Sequence, residues 1–211
     1  MSRNRNVFAV GTLVAALAVA QAGSAQKKPV TQPLVVNAVA GQGVAIVPVN
    51  MFIIEPEVPP GTFTLGKPAL TRWVDSLLFD GATSRAPEVN WIPPQELRRI
   101  SRRAGGLMPD PDQMGQSIMR SWGISTVPDP LRSNLRRLLA VAGGSRYAMI
   151  PASVVFKPDS AGGLSVSMAV LLADVRTGKV VWRSVAKGSG GTAGEALGKA
   201  VKTMFPVEGE P

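Results

Sequence analysis

Read as a pattern of apolar and polar positions, the chain alternates between two periods. The first strong element is GVAIVPVNMFII, Gly43 to Ile54, whose β-branched run predicts a buried strand with a break at Pro48, since proline donates no ladder hydrogen bond. Leu70, Trp73, Val74, Leu77 and Leu78 then recur at helical spacing, and Asp80-Gly81 reads as the end of that helix. Glu88 to Ile92 predicts a short strand, and Pro93-Pro94 opens a second helix in which Leu97, Ile100 and Ala104 face inward. Arg98, Arg99, Arg102 and Arg103 fall on its outer side, and Gly105-Gly106 stop it. Leu131, Leu135, Leu138 and Leu139 mark another helix, with Arg132, Arg136 and Arg137 off the apolar face and Gly143-Gly144 as its stop.

Period two takes over afterwards. Arg146 to Lys157 predicts a strand with an internal proline. In GLSVSMAVLLADV, Leu164, Val166, Met168, Val170 and Leu172 share one face, while Ser165, Ser167, Ala169 and Ala173 share the other. Arg176-Thr177-Gly178 turns the chain back into KVVWRSVAKG, where Val180 and Trp182 are expected side by side. GSGGT, Gly188 to Thr192, reads as a glycine linker with Thr192 as helix cap and Glu195 as its box partner. Leu197, Val201, Met204 and Phe205 form the stripe of the closing helix. The segment Leu107 to Pro130 mixes turn residues with a short apolar pattern (Met114, Ile118, Met119, Trp122) that fits one short helix.

The expected fold class is α/β (α+β): a mixed sheet of about five strands covered by helices. Early strands pair in parallel through helical crossovers, and the last two form an antiparallel hairpin. The expected segmentation is a signal peptide at 1–25, a flexible leader at 26–42, one domain at 43–206 with an irregular insertion near 107–130, and a disordered tail at 207–211.

The landmarks VAIVPV (Val44 to Val49), RYAMIPASV (Arg146 to Val154) and LLADVRTGKVVW (Leu171 to Trp182) appear in an order that resembles a group of bacterial envelope domains. That group includes the N-terminal domain of the Tol-system protein TolB, the curli-secretion lipoproteins and the outer-membrane activators of penicillin-binding proteins. Its turn of the form Asp-x-x-Thr-Gly-Lys/Glu-x-x-Trp is met here by Asp174, Thr177, Gly178, Lys179 and Trp182. The resemblance implies a non-catalytic adaptor or assembly role, with an oligomeric secretion component as the variant the curli relatives imply. The chain departs from the group in lacking a lipid-bearing cysteine and in carrying the 107–130 segment.

Composition narrows the chemistry. Arg3 and Arg5 precede an apolar run from Val7 to Ala20, and Gly23 and Ala25 suit a signal-peptidase cut after Ala25. The expected location is periplasmic or secreted, with no transmembrane anchor after cleavage; an uncleaved anchor is the alternative. With no cysteine, lipidation at a mature N-terminus and disulfides are both excluded. With no histidine either, the Ser-His-Asp triad, cysteine proteases and the usual zinc sites drop out. No cofactor is expected.

Carboxylate chemistry remains as the enzymatic alternative, a glycan hydrolase. Asp110 and Asp112 lie close together but suit a solvated turn better than a cation site. Net charge is +9, and +7 without Arg3 and Arg5, which suits solubility or an anionic envelope partner. Nucleic acid is not expected, because the chain is exported and its single tyrosine lies in a strand. The candidate partner surface is therefore Arg98, Arg99, Arg102, Arg103, Arg132, Arg136, Arg137 and Trp122, facing an envelope protein or an anionic envelope polymer, in a chain that could oligomerise. A solvated helix face is the competing reading for the arginines.

Overall fold

The computed structural model describes residues 29–207. The expected signal peptide at 1–25 and residues 208–211 of the expected tail lie outside the described residues.

A mixed sheet of six strands runs through the molecule. β1 (Gly43–Ile46) pairs in parallel with β3 (Asn90–Ile92) and with β4 (Tyr147–Pro158). β2 (Phe52–Ile54) also pairs in parallel with β4, further along it. β5 (Leu164–Asp174) and β6 (Val180–Gly190) complete the sheet as antiparallel neighbours. The order is β3-β1-β4-β5-β6, with β2 beside β4. The break expected at Pro48 is real: five residues (47–51) separate β1 from β2, opposite four (150–153) of β4, and β4 shifts register between Pro151 and Ser153.

Helices cover both sides. α1 (Lys67–Arg85) and α4 (Ala193–Met204) bury Val74, Leu78, Leu197 and Val201 against Ile46, Met168, Val170 and Leu172. α2 (Pro94–Arg103) and α3 (Leu131–Val141) bury Leu97, Leu135 and Leu138 with Ala148, Ile150 and Leu171 on the other side.

The structure revises five expectations, each for a packing reason. α1 does not stop at Gly81 but runs to Arg85, ahead of Pro87, whose ring disfavours a helical residue before it. Gly81 is a contact point: a Cβ there would lie 2.3 Å from Val201 Cγ1 of α4. The expected glycine linker belongs to β6. A Cβ on Gly188 would meet Ala196 O at 2.1 Å and Ala200 N at 2.5 Å, so glycine lets α4 lie directly on the strand.

Val180 and Trp182 face opposite sides, because a register shift sets Leu172 opposite Trp182 and Ala173 opposite Val180. The 107–130 segment forms two 3-10 turns, Pro111–Gln113 and Gln116–Arg120, parted by left-handed Gly115, in place of one helix. The leader expected to be flexible is held from Val30 onward. Val185 N donates to Val30 O, Gln32 N to Ser184 Oγ, and the Trp182 indole to Pro33 O at 2.9 Å.

Other expectations hold. Thr192 caps α4 by accepting from Glu195 N, and the Glu195 carboxylate reaches back to Gly191 N. The turn after β5 is built on Asp174, whose carboxylate accepts from the Arg176 and Thr177 amides and from Arg146 Nε at 2.9 Å. Burial pushes this acid up, but the Thr177 amide and Arg146 outweigh it and hold it below the usual carboxylate range. Gly178 sits at φ 77°, with Arg132 lying across it.

Candidate binding surfaces

The break between β1 and β2 strands two backbone groups inside the protein, and buried side chains satisfy them. Asp75 projects from the sheet-facing stripe of α1, is fully buried, and accepts from Val49 N at 2.9 Å. Gln116 of the second 3-10 turn, also buried, donates to Pro48 O at 2.7 Å. Arg98 joins this network from α2. Its Nη2 donates to Asp75 Oδ2 at 2.5 Å, and Nε and Nη2 together grip Asp112.

Burial pushes the Asp75 carboxyl up to about 6, against the Val49 amide and the Arg98 guanidinium, which favour its charged form. A cleft of about 280 Å³ opens beside this group, lined by Asn50, Lys67, Thr71 and Arg72. Asn50 Oδ1 and Arg98 Nη1 are buried without a hydrogen-bond partner.

Two acids and a cleft come together here, and the geometry is structural. Both carboxylates address the same guanidinium, and Asp75 has no exposure, so the pair does not flank a space in which a glycosidic bond could sit. Asp110 acts as the expected turn residue, accepting from Asp112 N. Among the described residues no cluster of three or more acidic side chains could hold a metal ion.

The structure divides the candidate surface. Arg98 does not lie on the outer face of α2: its side chain is 11% exposed and locked between two acids. Arg99, Arg102 and Arg103 do face solvent, with Arg99 paired to Glu96. On α3, Arg136 and Arg137 are exposed but anchored, Arg136 to Val175 O at 3.0 Å and to Arg176 O, and Arg137 to Leu107 O. Arg132 is half-buried, its Nε without a partner. Trp122 is half-buried beneath Arg183, whose guanidinium carbon lies 5.5 Å from the ring centre.

Sequence reasoning missed Arg183 and what it organises. From β6 it donates to the carbonyls of Met119, Ser121 and Ile124, pinning the 107–130 segment onto the sheet. Burial lowers its pKa. Beyond that pinned segment, among the described residues, the same side of β4, β5 and β6 carries no helix. It forms a cleft of about 710 Å³ with Trp122 and Arg120 at one end and Lys157 and Lys187 along it. The signal was present in β5: its second face changes from Ser165, Ser167 and Ala169 to Leu171 and Ala173, which marks where cover begins.

No protein-family profile matches the chain, and no curated protein matches it. Among solved structures it is similar to the LpoB C-terminal domain from Salmonella enterica, at 17% identity over 72% of this chain and 84% of that one, TM-score 0.40. It is also similar to the PelC dodecamer from Paraburkholderia phytofirmans (14% identity, 83% and 94%, TM-score 0.40). A third is lipoprotein GNA1162 from Neisseria meningitidis (16% identity, 71% and 83%, TM-score 0.40). Outer-membrane activators of penicillin-binding proteins are among the relatives expected from the sequence, and LpoB stands among these structures; TolB does not stand among these three. At these identities and TM-scores the likeness carries no conclusion about activity or partners.

Proposed function

We propose that the protein is an exported, non-enzymatic envelope domain that binds another envelope component through the arginine side of α2 and α3. One observation carries this reading. Arg99, Arg102 and Arg103 of α2 face solvent beside Arg136 and Arg137 of α3, where Glu96 and Asp112 are engaged in ion pairs and Asp110 and Asp129 are the remaining nearby acids, so the cations outnumber the acids left to them. The Arg137 bond to Leu107 O draws the end of α2 and the middle of α3 together. A concentrated positive surface of this kind favours an anionic or acidic partner and speeds its association.

Among the described residues no helix is long and apolar enough to cross a membrane. The signal-peptide pattern expected at 1–25 supports a periplasmic or secreted location. The non-enzymatic reading is supported by the internal use of Asp75 and Asp112 and by the absence of histidine and cysteine from the sequence.

The test is co-purification from envelope extract with the triple variant Arg99→Glu, Arg102→Glu, Arg103→Glu, leaving the buried Arg98 intact. The expected outcome is a salt-sensitive partner held by the wild type and lost by the variant. Equal retention by both removes the arginine surface. Turnover of a wall polymer by the purified protein, abolished by a single Asp→Asn change, removes the non-enzymatic reading.

A further inference from the structure

The cross-strand pairing places defined rows of side chains on the uncovered half of the sheet. Lys157, Ser165 and Ser189 stand opposite one another on β4, β5 and β6. The next row is Val155, Ser167 and Lys187, and the third begins with Ser153. Rows two residues apart are about 7 Å from each other along the strands. The floor therefore mixes the hydroxyls of Ser153, Ser165, Ser167 and Ser189 with the short apolar side chains of Val155, Ala169 and Val185, with an ammonium group on each flank. Ser165 Oγ is buried there with no hydrogen-bond partner in the protein. At the end of this floor Arg120 adds a third cation, and Trp122 stands at the lip, its ring set by Arg183. Asp159 is the one acid among the residues lining the cleft.

We propose that this cleft binds an acidic polysaccharide chain. The site goes beyond the arginine surface of α2 and α3 and stands independently of it. Serine hydroxyls both donate and accept, as the hydroxyls of a sugar do. The lysines and Arg120 supply charge-assisted hydrogen bonds to the carboxylates of acidic sugars. A fixed indole offers an apolar face for a pyranose ring to lie on, and a ring already held by its neighbour costs less ordering on binding. The concave shape does not suit a flat lipid surface. Addition of a peptide strand is also disfavoured, since the amides of β5 are already paired on both sides with β4 and β6.

The test uses the purified protein with three probes of similar length: hexagalacturonate, the neutral maltohexaose, and a hexameric glutamate peptide. Calorimetry gives affinity and tryptophan fluorescence reports the cleft. Hexagalacturonate is expected to bind and to quench fluorescence, and maltohexaose and the peptide are expected to leave both signals unchanged. Lys157→Gln with Lys187→Gln removes two charge-assisted contacts and is expected to weaken binding by about tenfold or more, with an unchanged melting temperature because both lysines are exposed. Trp122→Phe keeps an aromatic ring under Arg183, and with it the quench is expected to disappear.

Four results each overturn the proposal. They are no binding of hexagalacturonate, equal binding of the glutamate peptide (an acidic protein is then the occupant), quenching that persists in Trp122→Phe, and binding that survives the double lysine change but is lost in the Arg99, Arg102, Arg103 reversal.

Discussion

Both helix layers bury apolar side chains on the sheet, but glycines let α1, α4 and β6 approach closely, whereas arginines tie down α2, α3 and the 107–130 segment. On the first side, Gly81 admits Val201, and Gly188 admits the backbone of α4 at separations that no Cβ could share. The interface is apolar and close, as ridge-to-groove packing at protein density requires. On the second side the elements are shorter and irregular, and long side chains join them to carbonyls: Arg183 to three residues of the segment, Arg136 to the turn after β5, Arg98 to two acids. The difference teaches that a guanidinium serves as a multi-pronged staple where a segment is too irregular to satisfy its own carbonyls. Arginine in a sequence is thus ambiguous between staple and surface, while glycine at a helix crossing is nearly silent.

That contrast can be broken at its strongest points first. Trp182→Ala on the glycine side, and Asp75→Ala, which removes the α1 acid that Arg98 of the arginine side grips, are each expected to cost about 3–5 kcal/mol, the first by leaving a cavity and the second by leaving Arg98 without its buried acid. Urea unfolding measures both, and an unchanged midpoint for either places that residue outside the packing described. Gly188→Ala comes next, at about 1–3 kcal/mol, because the atoms it would strike are backbone and cannot swing away.

A smaller effect concerns pH. Asp75, raised to about 6, takes up its proton more readily in the fold than in the unfolded chain, where a carboxyl titrates near about 4. Its contribution to stability is fully present below that unfolded value and is lost as pH rises through about 6. Relative to Asp75→Asn, the wild type should therefore gain a few degrees in melting temperature between pH 7.5 and pH 5. Asp174, lowered below the usual range, loses its contribution only at more acid pH and leaves that window clear. A constant difference between wild type and Asp75→Asn across the window would mean that Asp75 is ionised throughout. The smallest stability effect is expected from reversing Arg99, Arg102 and Arg103, whose melting curve should match the wild type, since their side chains meet solvent.

The elements with a long unbroken period were legible in the sequence. β5 buries Leu164 through Leu172 on one side as its alternation requires, and α3 buries its four leucines. What escaped was set by partners distant in sequence. Gly81 resembles a helix stop until Val201 is known to press on it, and the Val180–Trp182 pair alternates properly until a register shift intervenes. Arg98 shares its helix with Arg99 and Arg102, and only Asp75 and Asp112 distinguish it. The uncovered cleft was half legible: Ser165 and Ser167 marked a polar face, but its open extent depends on where Arg183 pins the neighbouring segment.

The contacts of Val30 and Thr31 with Val185 have a consequence for self-association. β6 is the outermost strand, and an open row of amides and carbonyls at such an edge invites another molecule's strand to join it. Here Val185 offers its amide to Val30 and its carbonyl to Thr31, so the middle of that row is occupied by the chain's own earlier residues. Strand addition along β6 is therefore blocked at that point, and the fold carries its own guard on the edge where its longest strands end.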